Sequence, residues 1–132
     1  LYTPEPDIVH ELVGHAATFV DTDFVALNRR FGDAATASRD EETLSRIARL
    51  YWFTLEFGVI EEAGALRAVG AGLLSSFGEL GRFESEARLL PYDVETIANN
   101  PYDPTSYQDT LYVAKSQASM FSTATDYLDS LR

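Results

Sequence analysis

The feature that most constrains the fold is a single carboxylate, Glu56, that stands between Leu55 and Phe57 in a strongly apolar run. An ionised carboxylate is costly to bury unless it is paired with a cation or bound to a metal. An ordinary partner would be a nearby arginine, Arg46 or Arg49. Glu56 is therefore predicted to be either ion-paired or a metal ligand.

The two histidines of the chain, His10 and His15, lie five positions apart near its start. In the zinc-protease pattern H-E-x-x-H the histidines lie about 40° apart around a helix, whereas a spacing of five gives about 140°. His10 and His15 can share a metal only if His10 lies at an irregular helix start or if the helix widens locally to π geometry, which often marks a functional site. The alternative is two unrelated histidines, one capping and one packed.

Two imidazoles and one carboxylate form the ligand set of the non-haem Fe(II) facial triad, which leaves coordination positions open for oxygen chemistry. The residues alone leave this metal site and an arginine-paired Glu56 as competing interpretations. A zinc hydrolase is disfavoured by the histidine spacing. A helical interaction module without metal is disfavoured by the carboxylate in its apolar run.

Composition excludes several classes of function. The 132 residues predict one domain, 1–132, and the net charge of −11 argues against binding to nucleic acid or to an anionic membrane surface. The absence of cysteine excludes disulfides and thiolate ligands. No apolar stretch is long enough to cross a bilayer and no signal peptide is visible, so we expect a cytoplasmic protein.

The predicted fold is mainly α, a compact helical core with a few short strands. Asp7 should cap the first helix, and Gly32 should end the second as a left-handed cap, with a loop over 34–39. The helix after Asp40 should be the buried central one, because its second half is apolar on nearly all sides. Helices are predicted over about 7–20, 24–31, 40–57, 83–89, 94–98 and from 116 onward; a turn is predicted over 61–64, strands over 66–69 and 110–114, and loop over most of 91–104.

Three blocks of residues carry a family resemblance. They are Tyr-Thr-Pro-Glu-Pro-Asp at 2–7 with His-Glu-Leu-x-Gly-His at 10–15, Tyr-Trp-Phe-Thr-x-Glu-Phe-Gly at 51–58, and Gly-Ala-Gly-Leu-Leu-Ser-Ser-Phe-Gly-Glu-Leu at 70–80. In order, spacing and length they resemble the tetrahydropterin-dependent aromatic amino acid hydroxylases. The resemblance covers nearly the whole chain and weakens beyond Phe83.

The resemblance implies a mostly helical catalytic domain that holds one Fe(II) and uses a tetrahydropterin and O2 to hydroxylate the ring of an aromatic amino acid. The implied iron ligands are His10, His15 and Glu56. Ser75 could also support an iron-ligating imidazole through a hydrogen bond. The implied pterin-site residues are Glu11, Ala48 and Tyr51, and the implied substrate-site residues are Thr3, Pro4, Trp52, Phe57, Gly72 and Ser75.

Trp52 stands where tryptophan hydroxylases carry phenylalanine, which favours phenylalanine or tyrosine as the substrate; we expect conversion of phenylalanine to tyrosine. The family's catalytic domain also has a long segment before the 2–7 block, with an arginine that binds the substrate carboxylate. No arginine precedes Asp7, and the chain starts with Leu1. We therefore expect a catalytic-domain fragment, monomeric or weakly self-associating; the alternative is a truncated metal-binding or partner-binding domain that keeps the scaffold without hydroxylating anything.

Overall fold

The computed structural model describes residues 7–131. Helices dominate these residues, as the sequence predicts, and four strands form one small sheet. The helical segments are a π-helix His10–His15, a 3₁₀ segment Ala16–Val20, α1 Thr22–Ala37, α2 Glu41–Tyr51, a π-helical turn Trp52–Glu56, α3 Ala71–Ser75, α4 Phe77–Leu80, α5 Phe83–Glu86, α6 Val94–Ala98 and α7 Gln117–Ser130. The strands are β1 Val59–Glu62, β2 Ala65–Ala68, β3 Arg88–Pro91 and β4 Thr110–Ala114.

Side-chain caps explain where several helices begin. Asp40 accepts a hydrogen bond from the backbone N–H of Thr43 at the start of α2, and Asp93 accepts one from Thr96 at the start of α6. Ser116 caps α7 in the same way. Such caps satisfy backbone donors that have no partner within the helix.

Helix α1 continues past the glycine that was expected to end it. The prediction of a left-handed cap at Gly32 is wrong, because α1 reaches Ala37 and Gly32 is not among the positive-φ glycines of the described chain. Of the loop predicted over 34–39, only 38–39 lie outside the helix. Phe31 and Ala34 are both buried, so the apolar face of α1 runs across Gly32. Packing of this face offsets the low helix propensity of glycine.

The sheet has the strand order β2-β1-β4-β3. Strands β1 and β2 form an antiparallel hairpin, whereas β4 runs parallel to both β1 and β3. The hairpin turn is only Ala63 and Gly64, both with positive φ, so the turn predicted over 61–64 is too long. This pair of positive φ values is typical of a two-residue hairpin.

Strand β3 was not predicted, since the sequence indicated helix as far as position 89. Helix α5 ends at Glu86, and Leu89 pairs with Leu111 in the parallel ladder between β3 and β4. Parallel pairing joins strands that are distant in sequence and leaves no local turn signal. The other predicted strands, near 66–69 and at 110–114, are confirmed by β2 and β4.

The buried side chains form two clusters. The larger lies among α1, α2, α6 and α7, and the smaller lies between the sheet and α3. Trp52 packs against both clusters, so the π-helical turn Trp52–Glu56 lies where they meet. No helix among residues 7–131 is long and apolar enough to cross a membrane.

Candidate metal centre

The π-helix His10–His15 brings the two histidines together. Its start is organised by Asp7, whose carboxylate accepts hydrogen bonds from the N–H groups of Val9 and His10 at 3.0 and 3.3 Å. A π-helix bonds residue i to residue i+5, so residues five apart lie on one face. The rings of His10 and His15 meet edge to face with centroids 4.7 Å apart. The sequence allowed two geometries that could bring the histidines together, an irregular helix start or a local π-helix. The structure has the π-helix.

Gly14 allows this helix to approach α3. A β-carbon at position 14 would lie 3.0 Å from both the β-carbon and the carbonyl oxygen of Ala71, closer than ordinary van der Waals contact. Gly14 is the one buried residue of the π-helix. The contact places the histidines beside Ser75, which ends α3.

Glu56 ends the second π segment, the turn Trp52–Glu56. The N–H of Phe57 donates to the carbonyl of Trp52 at 2.8 Å, which is the five-residue hydrogen bond of π geometry. Neither arginine considered as an alternative partner pairs with Glu56. Arg46 pairs with Glu95 and Arg49 pairs with Glu42.

The three side chains converge with their donor atoms facing one another. Nε2 of His15 lies 2.8 Å from Oε1 of Glu56 and 3.2 Å from Nε2 of His10. Nε2 of His10 lies 3.6 Å from Oε2 of Glu56. Three ligands that meet a divalent metal at about 2.1 Å and about 90° place their donors roughly 3.0 Å apart. The donor set and its spacing therefore fit a facial metal site, and its side chains are 14–20% exposed.

Ser75 determines which nitrogen of His10 is free to bind a metal. The Ser75 hydroxyl donates to the carbonyl of Ala71 at 2.8 Å, so its lone pair is available to Nδ1 of His10 at 3.0 Å. This arrangement places the His10 proton on Nδ1 and directs the lone pair of Nε2 toward Glu56. A hydrogen bond that sets the tautomer in this way is the usual support for a metal-binding imidazole.

The electrostatics of the cluster also favour a cation. The hydrogen bond to Glu56 raises the pKa of His15; it outweighs the opposing effect of burial, and the negative charges of Glu56 and Glu11 act in the same direction. The groups around His15 thus favour the binding of a proton there. A divalent metal ion would replace that proton, since metal ligands bind in their deprotonated form.

Of the three residues assigned to the pterin site, Glu11 and Tyr51 lie near this cluster. Glu11 and Ala48 are exposed, and Ala48 lies one helical turn before Tyr51 in α2. Burial, together with the negative charges of Glu56 and Glu11, raises the pKa of Tyr51 to about 12, so the phenol stays neutral. Glu11 and Tyr51 therefore lie within electrostatic range of each other.

Trp52 and Phe57 form an aromatic wall beside Glu56. Their rings lie 4.7 Å apart at an angle of 32°. A β-carbon at Gly72 would lie 2.7 Å from the Phe57 ring, so a glycine is required there for Phe57 to keep its position. Thr3 and Pro4, the other residues assigned to the substrate site, lie outside the described residues.

Two residues of this wall were missed by sequence reasoning. Tyr102 stacks on Trp52 with ring centroids 4.3 Å apart, and the side-chain oxygen of Gln108 accepts a hydrogen bond from the Trp52 indole N–H at 3.1 Å. Both follow α6 in a stretch without regular structure. Because they are about fifty positions from Trp52, no local pattern signals the contact.

Comparison with known proteins places these features in a family. The model of the biopterin-dependent aromatic amino acid hydroxylases matches residues 1–132. The phenylalanine-4-hydroxylase of Rattus norvegicus is 45% identical over 117 residues, which are 88% of this chain and 26% of that protein. The phenylalanine 3-hydroxylase of Streptomyces coeruleorubidus is 40% identical over 128 residues, 97% of this chain and 46% of that protein.

A solved structure shares the fold. It is a crystal structure of Chromobacterium violaceum phenylalanine hydroxylase with bound iron(III) and the oxidised cofactor 7,8-dihydrobiopterin. It matches with a TM-score of 0.85 at 30% identity, covering 97% of this chain and 47% of that chain. The chain thus spans less than half the length of each of these three proteins.

Proposed function

The chain belongs to the biopterin-dependent aromatic amino acid hydroxylases, and from this premise we propose that it forms the iron-binding part of a monooxygenase that hydroxylates an aromatic ring. The observation that carries the proposal is the convergence of His10, His15 and Glu56, with donor atoms 2.8–3.6 Å apart. These three side chains would hold a metal ion from one side, and such a facial arrangement would leave other coordination positions open. When bound, Fe(II) and a reduced pterin supply the electrons with which O2 is activated and one oxygen atom enters the ring.

The protein's own part in this chemistry is to hold and orient. Ser75 keeps His10 in the tautomer whose Nε2 binds metal. Glu11, Ala48 and Tyr51 form the pterin side, where the neutral phenol of Tyr51 offers an O–H rather than a negative charge. Trp52 and Phe57 form the side that receives the substrate ring, since stacked or tilted aromatic contacts orient a further aromatic ring.

Phenylalanine, hydroxylated to tyrosine, is the substrate and product we propose. Support comes from the aromatic wall, in which Trp52 is fixed from two directions by Tyr102 and Gln108. The relatives named above act on phenylalanine at ring positions 4 and 3 according to their names. The ring position that is hydroxylated must therefore be measured separately from the identity of the substrate.

A second candidate is a metal-binding domain without turnover. It is favoured by the exposure of the histidine-bearing helix, in which Leu12 and Val13 are 60% and 58% exposed beside the metal ligands. Hydroxylation requires a site from which water is excluded. An open site of this kind suits metal binding more readily than turnover.

An anaerobic Fe(II) titration tests whether the chain binds metal. We expect one Fe(II) per chain, with binding lost in His10→Ala and in Glu56→Ala. Glu56→Gln keeps the shape of the side chain but removes its charge, and it should also weaken binding strongly. Retention of full affinity by Glu56→Ala would rule out the proposed ligand set.

Turnover separates the two candidate functions. Fe(II)-loaded chain is incubated with a tetrahydropterin, O2 and phenylalanine, and hydroxylated products are resolved by chromatography. Tyrosine formation that is lost in His10→Ala supports the monooxygenase. Tight Fe(II) binding without hydroxylated product supports the metal-binding domain.

A further inference from the structure

A buried pair of hydroxyls lies behind Glu56 and takes no part in the proposed metal chemistry. Thr54 is 1% exposed, and its Oγ1 lies 2.6 Å from the hydroxyl oxygen of Tyr92. Burial raises the pKa of Tyr92 well above its ordinary value, so the phenol keeps its proton. The two groups therefore share a hydrogen bond between neutral hydroxyls.

Thr54 lies in the middle of the π-helical turn that ends in Glu56. Its own carbonyl accepts a hydrogen bond from Gly58 at 3.1 Å, so its backbone is part of the closure of this turn. Residues two apart point to roughly opposite sides of a helix. Glu56 faces the histidines, and Thr54 faces the core on the other side. The contact with Tyr92 thus holds the turn from behind.

The π register decides where Glu56 points. A π turn holds one residue more than the α-helical turn it replaces, and one residue corresponds to a rotation of about 100°. In the α register the carboxylate of Glu56 would turn away from His10 and His15. Interactions that favour the π register therefore keep Glu56 within reach of the metal.

The hydroxyl of Thr54 behaves differently from those in regular helices. Thr36 and Thr123 donate to the carbonyl oxygen four residues back, at 2.8 Å each, which is the usual local bond of a helical threonine. Thr54 bonds instead to Tyr92, thirty-eight positions away in the sequence. The hydroxyl of Thr54 thus has a long-range partner instead of a local one, within the turn where the helix changes from α to π geometry.

Tyr92 is held firmly enough to act as an anchor. It directly follows β3, and its backbone N–H donates to the carbonyl of Val113 at 2.9 Å, which extends the pairing with β4. The next residue, Asp93, caps α6 by accepting from Thr96 at 2.8 Å. The Tyr92 backbone is thus held between a paired strand and a capped helix.

We infer that Tyr92 is a positioning residue for the metal centre: through Thr54 it holds the turn 52–56 in the π register and so directs Glu56 toward His10 and His15. The inference rests on the proposed metal-binding function. It predicts that Tyr92 affects the affinity for metal, whereas a tyrosine with a purely structural role would affect only stability.

The test compares two tyrosines that each lose one buried hydrogen bond. Tyr92→Phe removes the contact with Thr54. Tyr112→Phe is the matched control, because Tyr112 is 1% exposed and its hydroxyl accepts from Asn100 at 2.8 Å rather than bonding to a residue of the turn 52–56. Its ring packs on Phe53 of that turn, a contact that phenylalanine keeps. Both variants should lose similar stability. Only Tyr92→Phe should weaken Fe(II) binding, by about tenfold, the lower end of the range for groups that support metal ligands.

A second pair of variants covers the case in which Tyr92→Phe does not fold. Thr54→Val removes the hydroxyl with little change of shape, and Thr54→Ser keeps it. We expect Thr54→Val to weaken Fe(II) binding as Tyr92→Phe does, and Thr54→Ser to bind almost as the unmodified chain. Equal affinities in Thr54→Val and Thr54→Ser would overturn the inference.

A readout in the metal-free chain keeps this test independent of iron. The imidazole nitrogen shifts of His15 report its 2.8 Å contact with Glu56. Tyr92→Phe should shift these signals, and Tyr112→Phe should leave them in place. If the unmodified chain binds no Fe(II), the proposed function fails, yet the His15 signals still decide the inference. Unchanged His15 signals in Tyr92→Phe would overturn it.

Discussion

The two π-helical segments that carry the proposed metal ligands are held in opposite ways. In the turn Trp52–Glu56, the three residues before Glu56 are buried in the core. In the helix His10–His15, only Gly14 is buried. Glu56 is therefore placed by the packing of the whole molecule. The histidines are placed by contacts of a largely exposed helix, among them those of Gly14 with Ala71 and of His10 with Ser75.

This difference has a thermodynamic meaning. Segments with few buried contacts open locally at low cost, whereas core segments open only with the whole molecule. A ligand stabilises most the region whose ordering it requires. Metal binding is thus expected to order the histidine helix and to change the Glu56 turn little.

The largest expected effect is the loss of core packing around the Glu56 turn. A β-carbon at Gly58 would collide with the carbonyl oxygen of Thr54, which is backbone and cannot rotate away. Gly58→Ala should destabilise the chain by about 3 kcal/mol or more, measured by urea denaturation. In the control Gly32→Ala the β-carbon meets nothing within 4 Å, and stability should rise by roughly 0.5–1 kcal/mol. Similar losses in both variants would contradict the role of close packing.

The next effect is a difference in hydrogen exchange between the two segments. At a metal concentration about 100 times Kd, ligand binding contributes about 2.7 kcal/mol to the ordered state. Amides of residues 10–15 should therefore exchange up to about 100-fold more slowly when Fe(II) is added anaerobically. Amides of residues 52–56 should already be protected without metal. If Fe(II) slowed amide exchange equally in both segments, the proposed difference in how they are held would be wrong.

Ser75 offers a test of the contacts that hold the histidine side. Ser75→Ala removes the acceptor of the His10 Nδ1 hydrogen bond and should weaken Fe(II) binding by about 10- to 100-fold, as is typical for partners of metal-binding histidines. Titration with Fe(II) measures this change. Ser76→Ala is a neighbouring control whose hydroxyl does not cap α4. If Ser76→Ala weakened binding equally, the hydrogen bond to His10 would not be the cause.

The smallest effect concerns the start of α2, at the far end of the helix that leads to Glu56. The hydrogen bonds with Thr43 lower the pKa of Asp40 below its ordinary value of 3.8. Because the folded-state pKa is below the unfolded one, this stabilisation is present above about pH 3.8 and is lost as the pH falls through the folded value.

Asp40→Asn keeps a capping side chain but cannot titrate. The melting temperature of the unmodified chain should therefore fall slightly more between pH 5 and pH 2 than that of the variant. Fe(II) affinity at neutral pH should be equal in both, because the cap is remote from the ligands. A loss of affinity in Asp40→Asn would show that the start of α2 is coupled to the metal centre.

Sequence patterns determined the parts of this protein whose causes are local or chemical. Asp7 caps the first helix by accepting from amides two and three residues away, so its role could be predicted from the sequence. The candidate donor set of His10, His15 and Glu56 could be proposed from the sequence, because a carboxylate in an apolar run requires a cation or a metal as its partner. The family followed from the three blocks of residues and is confirmed by the comparisons.

Tertiary structure alone decided what depends on distant partners. Gly32 stays within α1 because buried neighbours on both sides continue its apolar face. Strand β3 exists because β4, some twenty residues later, pairs with it. Tyr92 reaches Thr54, and Tyr102 reaches Trp52, across gaps that carry no local signal. The chemistry that a residue can perform can be inferred from its type and its sequence neighbours. The free energy of a long-range contact is gained only when the intervening chain has folded so that the two residues meet.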